Sequence, residues 1–443
     1  MSDRSAWTSR VGFILAAVGS AVGLGNIWSF PFRTASNGGA AFLVVYLVAV
    51  FLIGFPAMMI EFVIGRRGEQ NPVHAFDRIG HGNWSFVGGL GAFTSFVTLA
   101  FYSVVGGWVF SYIAGSATGA YFGDPAAYFG SVASGPIAIG AHALFMAVTV
   151  GIVALGVTDG IERATKFMIP GIFVLLIGLG VWAATLPGAS AGYSYYLTPD
   201  FGTIVNNFGS IVPPAMGQAF FTLSLGFSVM IAYSSYLDRD DSLPADGGAI
   251  VVINTLVAVL AGFVVFPVLF ATGGAEGATG GSGTAFVALA GAFGEVPGGQ
   301  VLGLLFFVVL LFAALSSSIS LLEVPVSFVT EQYGVSRAKG SLGMGTAVLL
   351  VGVPAALGTN YLTFYNDVVF NLLLPIVVFL LAAFTWFSGR DIVDELQRGT
   401  SLGETFPTVW LWWVRLVVPV AVAVTLYLGV KGLYTGLTNG TYF

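Results

Sequence analysis

The sequence predicts an all-α protein that crosses a lipid bilayer many times, and three observations support this. Of the 443 residues, 56% are hydrophobic and only 8% are charged, whereas about a quarter of the residues of a soluble domain are charged. Apolar stretches of about 20 residues, the length of a membrane-spanning helix, recur along the whole chain. The strand-period alternation of a membrane β-barrel is absent. Helices are therefore the expected spans, because they satisfy their own backbone groups inside lipid.

Composition also excludes several function classes. The chain has no Cys and only three His, so a disulfide framework, a thiolate nucleophile and a Cys-rich or His-rich metal centre are not expected. A net charge of −6 disfavours nucleic-acid binding. The predicted spans contain no paired acids and no Ser/His arrangement, which argues against a membrane-embedded enzyme. The first apolar run lacks a small-residue cleavage site, so we expect it to be a span of the mature protein.

Breaker clusters divide the apolar stretches into eleven predicted spans, with no separate soluble domain. Placing the N-terminus in the cytoplasm puts thirteen of the fifteen basic residues on the cytoplasmic side and leaves only Arg33 and Lys431 outside. This positive-inside bias predicts a multi-pass protein of the plasma membrane with an extracellular C-terminus. The spans are expected at 11–34, 40–66, 86–116, 137–156, 164–186, 208–237, 246–271, 298–332, 339–357, 364–388 and 407–433.

The first and sixth spans carry the same kind of interruption near their middle. Residues 19–26 and 221–228 combine Gly with hydroxyl or amide side chains where lipid favours Leu. An unwound turn there would expose backbone groups that hydrocarbon cannot satisfy. Close packing is the alternative explanation, since Gly19 and Gly23 form a small-xxx-small pair. Because the two spans open successive five-helix sets, the recurrence favours an inverted-repeat transporter with its site at the midplane.

The residues around these interruptions closely resemble the neurotransmitter:sodium symporter family. The segment 19–26 continues through Ile27-Trp28-Ser29-Phe30-Pro31 to Asn37-Gly38-Gly39-Ala40-Ala41-Phe42. With eleven spans, the chain is similar to the prokaryotic branch of that family. The other matching positions, which extend the resemblance over spans one to ten, are Arg4, Trp7, Pro56 to Glu61, Gly65, Arg66, Tyr102, Trp108, Gln218 to Phe227, Asn254 and Ala313 to Ser318.

The resemblance implies a leucine-transporter-like fold within a single transporter domain over 1–443. Two five-helix inverted repeats, about 11–186 and 208–388, would contain the broken helices 1 and 6, and an eleventh helix at about 407–433 would follow. The implied function is a sodium-coupled symporter that carries a neutral, hydrophobic or aromatic, α-amino acid into the cell by alternating access. Its expected partners are this amino acid, sodium ions and the lipid bilayer, and no nucleic acid.

The resemblance also implies two sodium sites built from neutral oxygens. A dehydrated hard cation needs about five or six oxygen ligands, which unwound carbonyls, hydroxyls and amides supply. The substrate carboxylate would complete the first site, so that ion and substrate binding would be coupled. The matching positions are Ala21, Asn26, Thr222 and Asn254 for the first site, and Gly19, Val22, Ala313, Ser316 and Ser317 for the second.

The implied substrate site lies between the two interruptions. The carboxylate would lie against backbone amides from Gly23 to Gly25 and the Tyr102 hydroxyl. Gly23 is the discriminating position, because family members that carry monoamines have Asp there. The ammonium group would meet carbonyls of Ala21, Phe221 and Thr222, with the Ser224 hydroxyl near. The side-chain pocket would be mostly apolar. Its expected lining is Thr98, Phe221, Phe227, Ser317 and Leu321.

Gates are implied at both ends of the site. The cytoplasmic gate would pair Arg4 with Glu331, and the residues expected to support this pair are Trp7, Ser235, Tyr236 and Glu323. On the outer side, the Arg and Asp of the family are replaced by Ser29 and Asn366. Losing both charges together avoids one unmatched buried charge. We therefore expect a hydrogen-bonded outer gate, with Arg33 and Asp367 as candidate substitutes.

Several properties stay open at the level of sequence. Chloride dependence is one, because Ala258 stands where chloride-dependent members have Ser and chloride-independent members have an acid. The identity of the amino acid, the ion stoichiometry and the oligomeric state are others. Two alternative functions also remain. One is a proton-coupled transporter that uses Glu61 or Glu323, since ionisable groups inside a membrane are costly and therefore often mark a functional site. The other is a nutrient receptor that binds substrate without net transport.

Overall fold

The computed structural model describes residues 7–238, 240–271, 274, 283–389, 391–400, 403 and 405–442, and this part of the chain is almost entirely helical. Nine of its helices are long and apolar enough to cross a membrane, and one bent pair makes a tenth span. A second divided helix makes the eleventh. The spans, numbered in chain order, are Arg10–Ala21 with Gly25–Ser36, Ala40–Gly68, Gly82–Thr118, Gly135–Ala154, Val157–Ala183, Phe208–Thr222 with Val229–Ser234, Leu243–Ala271, Gly299–Tyr333, Arg337–Leu357, Thr359–Phe384 and Thr405–Thr438.

Shorter helices connect the spans at the two ends of the bundle. We name the end that holds Trp7 and Arg10 the N-terminal end, and the opposite end, which holds Tyr442, the C-terminal end. The N-terminal end carries the connecting helices Pro72–Arg78 and Asp391–Gln397. The C-terminal end carries Pro125–Val132, Ala189–Leu197, Phe201–Asn206 and Thr284–Glu295.

Proline accounts for three wide helical turns inside the spans. In each case a five-residue π-helical segment ends two residues before a proline. Proline donates no backbone hydrogen bond and its ring crowds the carbonyl four residues earlier, so a wider turn relieves the clash. The three pairs are Gly25–Ser29 with Pro31, Val50–Gly54 with Pro56, and Val369–Leu373 with Pro375.

Span 1 is broken at residues 22–24, inside the interruption that the sequence predicts. Its first half ends at Ala21, and Val22 has an extended backbone with φ −79° and ψ 92°. The second half begins with the π-helical turn at Gly25, and the two halves are bent by 48°. Within the break, the Gly23 amide donates to Asn26 Oδ1 at 3.2 Å. The predicted discontinuity is therefore confirmed.

Span 6 is broken at residues 223–228, again where the sequence predicts it. Ser224, Gly226 and Ser228 have positive φ of 53°, 79° and 59°, which no α-helix contains. Neighbouring spans satisfy the freed backbone groups. Gly226 N donates to Glu61 Oε1 at 2.9 Å, and Ser95 Oγ donates to the Phe227 carbonyl at 2.7 Å. Glu61 of span 2 and Ser95 of span 3 thus stabilise the unwound turn.

Spans 3 and 8 run side by side through the bundle, and span 8 also packs against spans 1 and 5. Polar side chains of span 8 are fully buried where it passes the break in span 1, Ser316 and Ser320 among them. The two breaks face each other between spans 3 and 8. A polar chamber is therefore enclosed midway along an otherwise apolar bundle.

Candidate functional site

Ten residues from spans 1, 3, 6 and 8 enclose a small cavity between the two breaks. Its volume is about 10 Å³, which is room for about one water molecule. An amino acid therefore requires these side chains to move apart. All of the lining residues except Ser20 are among the predicted site residues. The lining is Ser20, Ala21, Gly23, Gly25, Tyr102, Phe221, Ser224, Phe227, Ser317 and Leu321.

The polar side of this cavity is formed by the break in span 1 and by Tyr102. The Leu24 amide donates to Tyr102 Oη at 3.1 Å. A Cβ atom at Gly23 would lie only 2.2 Å from Ser317 Oγ and 3.0 Å from Tyr102 Oη. Position 23 thus has no room for a side chain in this packing. Gly23 therefore contributes only backbone atoms to the cavity lining.

The apolar side is a cluster of aromatic rings. The rings of Phe221 and Phe227 meet edge to face, with centroids 5.9 Å apart. Phe221 also stacks on Phe370 of span 10 at 4.5 Å. Sequence reasoning missed Phe370, although it lies one helical turn beyond the predicted gate residue Asn366. A substrate side chain that enters this cavity would meet a predominantly aromatic wall.

Ser20 joins the two broken spans to span 8, and this role was also missed. Its carbonyl accepts from Ser317 Oγ at 2.9 Å and from Ser224 Oγ at 3.0 Å. Its hydroxyl accepts from Ser320 Oγ at 2.8 Å. The position of Ser20 inside the predicted interruption was the available signal. The predicted pocket residue Thr98 is buried in span 3, one turn before Tyr102, and does not line the cavity in this conformation.

The residues predicted for the first sodium site lie together. Asn26 Nδ2 donates to Asn254 Oδ1 at 2.7 Å and to the Asn254 carbonyl at 3.0 Å. Asn254 Oδ1 also faces the carbonyl oxygens of Ala21 at 3.0 Å and Thr222 at 3.2 Å. Oxygens that face one another so closely repel, unless the amide turns its nitrogen towards them or a cation lies among them. All four residues are buried.

The residues predicted for the second sodium site come together in part. Ser316 Oγ donates to the carbonyls of Val22 and Ala313, both at 3.0 Å, so spans 1 and 8 contribute oxygens to one point. Ser317 Oγ instead reaches the Ser20 carbonyl. Gly19 lies one turn before the break, where a Cβ atom would meet Thr165 Cγ2 at 2.8 Å.

At the N-terminal end, the predicted gate residues form a chain of contacts from span 1 to span 9. Trp7 Nε1 donates to the Tyr233 carbonyl at 3.1 Å, and the Trp7 ring lies edge to face with Tyr236. Tyr236 Oη donates to Glu323 Oε1 at 3.5 Å. The other carboxylate oxygen of Glu323 pairs with Arg337 of span 9. Glu323 has no exposed surface.

The predicted pair of Arg4 with Glu331 involves a residue outside the described part of the chain, since Arg4 precedes residue 7. Glu331 Oε2 accepts from the backbone amide of Asn71 at 3.0 Å and from Asn71 Nδ2 at 2.6 Å. Ser235 Oγ donates within its own turn, to the Ala232 carbonyl. Glu331 is thus tied to the loop that follows span 2.

At the C-terminal end, Ser29 takes part in a hydrogen-bonded closure. Ser29 Oγ donates to Gln218 Oε1 of span 6 at 3.1 Å and accepts from Arg33 Nε at 3.0 Å. The Arg33 guanidinium lies 4.4 Å from the centroid of the Phe370 ring, a cation–π distance. The hydrogen bond that joins spans 1 and 6 thus connects two neutral side chains, Ser29 and Gln218, and Arg33 of span 1 supports it.

Asp367 is held by the C-terminus of the chain. Asp367 Oδ2 accepts from Tyr442 Oη at 2.8 Å, and Oδ1 accepts from Asn366 Nδ2 at 3.2 Å. Sequence reasoning gave no role to Tyr442. Arg33 and Asp367 line a common cavity of about 290 Å³ and form no ion pair with each other in the described structure. The two candidate substitute charges therefore face each other across a space.

A family model, relatives of known sequence and a solved structure are similar to this chain. The model of the Sodium:neurotransmitter symporter family matches residues 4–122 and 133–442. The uncharacterized sodium-dependent transporter YhdH of Bacillus subtilis is 36% identical over 448 residues, which cover 96% of this chain and 98% of that protein. The mouse sodium-dependent neutral amino acid transporter SLC6A17 is 30% identical over 307 residues, 60% of this chain and 41% of that protein. The crystal structure of MhsT in complex with L-phenylalanine superposes with a TM-score of 0.88 at 36% identity, covering 96% of this chain and 100% of MhsT.

Proposed function

The chain belongs to the sodium:neurotransmitter symporter family and is a multi-pass, sodium-dependent transporter with the leucine-transporter fold, not an enzyme; we propose that it imports a neutral, hydrophobic or aromatic α-amino acid. Two sodium ions accompany the substrate, and the N-terminal end of the bundle faces the cytoplasm. Residues 1–443 act as one transporter domain with repeats at about 11–186 and 208–388 and an additional helix at about 407–433.

The observation that carries this proposal is the two-sided cavity between the breaks. On one side, the Gly23 backbone and the Tyr102 hydroxyl line the cavity, and amide and hydroxyl donors of this kind suit a carboxylate once it displaces their present partners. None of the described residues that line the cavity is acidic, so none would balance an amine that lacks a carboxylate. On the other side, Phe221, Phe227 and Leu321 suit an apolar side chain. The phenylalanine complex of MhsT and the neutral amino acid relatives support the same substrate class.

Sodium is held by neutral oxygens in this proposal. The first ion lies among Ala21, Asn26, Thr222 and Asn254, where the carbonyls of Ala21 and Thr222 meet the Asn254 amide. The second lies at the meeting point of Val22, Ala313 and Ser316, with Gly19 and Ser317 completing its ligands. Neutral ligands bind a monovalent cation without burying an opposite full charge. The substrate carboxylate supplies the missing charge beside the first ion, so each ligand strengthens binding of the other.

Transport then follows from closing and opening the two ends in turn. The breaks in spans 1 and 6 let their inner and outer halves move separately around a site fixed at mid-depth. Ser29, Gln218 and Arg33 close the C-terminal end, and the contacts from Trp7 to Glu323 close the N-terminal end. In the state that binds substrate, the C-terminal end is open. In the state that releases substrate, the N-terminal end is open.

A binding screen tests this function directly. The purified protein is heated with each of the twenty amino acids, in sodium and in potassium at equal ionic strength and pH. We expect hydrophobic or aromatic amino acids to raise the unfolding midpoint in sodium only. Ser316→Ala removes a ligand of the second ion. The variant should therefore need at least ten times more sodium for the same rise in the unfolding midpoint. Ser327→Ala is the matched control, because it loses a buried hydroxyl on the same span that bonds only within its own turn.

Uptake into proteoliposomes separates the alternatives. Accumulation driven by a sodium gradient at constant pH is the expected result. Accumulation driven by a pH gradient without sodium would instead assign the coupling to a proton. Sodium-dependent binding without accumulation would identify a receptor. A screen in which none of the hydrophobic or aromatic amino acids stabilises the protein in sodium would refute the substrate class.

A further inference from the structure

A third cavity, of about 310 Å³, lies at the N-terminal end of the bundle, apart from the transport site. Four of its six lining residues are arginines and one is acidic, so four positive charges face one negative charge. The lining comes from the end of span 2 and from two connecting helices with their flanks. It consists of Arg66, Arg67, Arg78, Ile79, Glu395 and Arg398.

The acidic residue of this cavity, Glu395, already forms an ion pair with Arg66, the most buried of the four arginines. Arg66 is 1% exposed, and its Nε lies 2.5 Å from Glu395 Oε1. Its other nitrogens donate to the backbone carbonyls of Asp241 and Glu395 at 2.5 and 2.7 Å. Arg398 reaches the second oxygen of Glu395 only at 3.3 Å, and half of its side chain is exposed. Arg66 and Glu395 thus form a rigid wall, and the positive excess belongs to the other three arginines.

These three arginines differ in how far they are neutralised. Arg67 pairs with Asp391 at 2.9 Å, but Asp391 is 60% exposed and lies outside the cavity lining. Arg78 is exposed, and its side chain forms no hydrogen bond or ion pair with any described residue. Arg398 has only the shared contact with Glu395. The cavity therefore offers guanidinium donors that the protein itself does not use.

The surrounding aromatic residues locate this cavity at the membrane interface. Trp386 and Phe387, just after span 10, are 50% and 64% exposed. Phe86, at the start of span 3, is 57% exposed and stacks on Trp84. An exposed Trp near the end of a span, such as Trp386, typically marks the headgroup region of the membrane. Arg78 and Asp391 lie within a few residues of these rings, so the cavity faces the depth at which lipid phosphates lie.

We propose that this cavity binds the phosphate of an anionic lipid headgroup, with Arg67, Arg78 and Arg398 as ligands. The planar guanidinium matches phosphate oxygens in pairs, which is why arginine is favoured over lysine for this group. Anionic lipids concentrate at the cytoplasmic leaflet and attract basic clusters beside spans. A bound phosphate bridges the helices Pro72–Arg78 and Asp391–Gln397 at the end of span 2. The site is independent of the substrate proposed above.

The test uses the full-length protein in an uncharged detergent. The unfolding midpoint is followed while dihexanoyl-phosphatidylglycerol is added, with dihexanoyl-phosphatidylcholine as the zwitterionic comparison. Inorganic phosphate is titrated separately against chloride at equal ionic strength. We expect phosphatidylglycerol to raise the midpoint at lower concentration than either comparison. With Arg78→Gln or Arg398→Gln, at least ten times more phosphatidylglycerol should be needed for the same rise in the midpoint. Arg163→Gln is the matched control, since it removes one exposed arginine at the start of span 5, outside the cavity.

Each outcome decides the proposal. Equal responses of the wild type, Arg78→Gln and Arg398→Gln would overturn it, as would equal responses to the two lipids. A response to inorganic phosphate but not to phosphatidylglycerol would assign the cavity to a free anion and overturn the lipid source. Size-exclusion profiles show whether the variants are folded, which is expected because the Arg78 side chain makes no contact that folding requires.

Discussion

The two ends of the helix bundle are closed by different chemistry. All ion pairs between described residues lie at the N-terminal end, whereas the C-terminal end is closed by hydrogen bonds and aromatic packing. A buried charge that loses its partner is costly, but a broken neutral hydrogen bond costs much less. The contrast indicates that the N-terminal end is the harder one to open. The ion pairs are Arg10 with Asp241 and Asp246, Arg66 and Arg398 with Glu395, Arg67 with Asp391, Lys166 with Glu162, and Arg337 with Glu323.

The first half of span 1 shows how this closure works. On one side, Arg10 Nη2 lies 2.5 Å from Asp246 Oδ1 at the start of span 7. On the other side, Glu162 of span 5 accepts from the Thr8 amide at 3.0 Å and pairs with Lys166 at 2.6 Å. The start of span 1 is therefore attached to spans 5 and 7 at once. Movement of this half requires both attachments to release.

The most severe test of the contrast is Glu395→Gln. The substitution leaves the Arg66 guanidinium buried without a counter-charge, so we expect a loss of about 3–5 kcal/mol in the free energy of unfolding. Thermal unfolding in detergent measures the change. Asp391→Asn is the control, because its pair with Arg67 is exposed and contributes at most about 1 kcal/mol. If the two variants unfold at the same temperature, burial does not set the strength of these pairs.

A second prediction concerns opening of the N-terminal end. Glu323→Gln weakens the contacts to Tyr236 and Arg337, and we expect the closed state to lose at least about 1.4 kcal/mol, a factor of ten in population. Because the chain has no Cys, Ser327→Cys is a selective reporter, 4% exposed and one turn from Glu323. Maleimide should label it at least ten times faster in the variant.

The control for this labelling experiment is Glu295→Gln, which removes an exposed acid at the C-terminal end. It should leave the labelling rate of the reporter unchanged. An unchanged rate in Glu323→Gln as well would show that the pair with Arg337 is structural and does not hold the N-terminal end closed.

A smaller effect is expected at the C-terminal end. Tyr442→Phe removes the hydrogen bond to Asp367 and keeps the buried ring, so the free energy of unfolding should fall by about 1 kcal/mol. The unfolding midpoint measures this loss, and Tyr434→Phe on span 11, which precedes Tyr442 and leaves the Tyr434 ring 67% exposed, serves as the control. A loss as large as that of Glu395→Gln would remove the distinction between the two ends.

The smallest effect belongs to Asp367→Asn. Asn keeps an oxygen that accepts from Tyr442, and no ion pair with Arg33 is lost, so the free energy of unfolding should change by less than about 0.5 kcal/mol. The transport rate gives independent information. If Arg33→Ala and Asp367→Ala both transport at the wild-type rate with unchanged affinity, these residues do not replace the missing outer gate charges.

The sequence by itself determined the number of spans, the positions of both breaks and, through the family resemblance, nine of the ten residues that line the central cavity. These features follow from local causes. Long apolar runs can only be helices in lipid, and Gly with hydroxyl side chains marks the turns that cannot be helical. The three π-helical turns before prolines have an equally local cause, although sequence reasoning did not use it.

Only the tertiary structure decided which polar groups meet. Four contacts illustrate this, and in each the partners lie far apart along the chain. They are the hydrogen bonds of Ser20 to spans 6 and 8, the stacking of Phe370 on Phe221, and the hydrogen bonds of Thr8 to Glu162 and of Tyr442 to Asp367. Such contacts depend on how whole helices cross and rotate, and no local pattern encodes that angle. The same reason explains why Arg33 and Asp367, each close in sequence to a predicted outer-gate residue, line one cavity without pairing. It also explains why four arginines from three segments of the chain share another cavity.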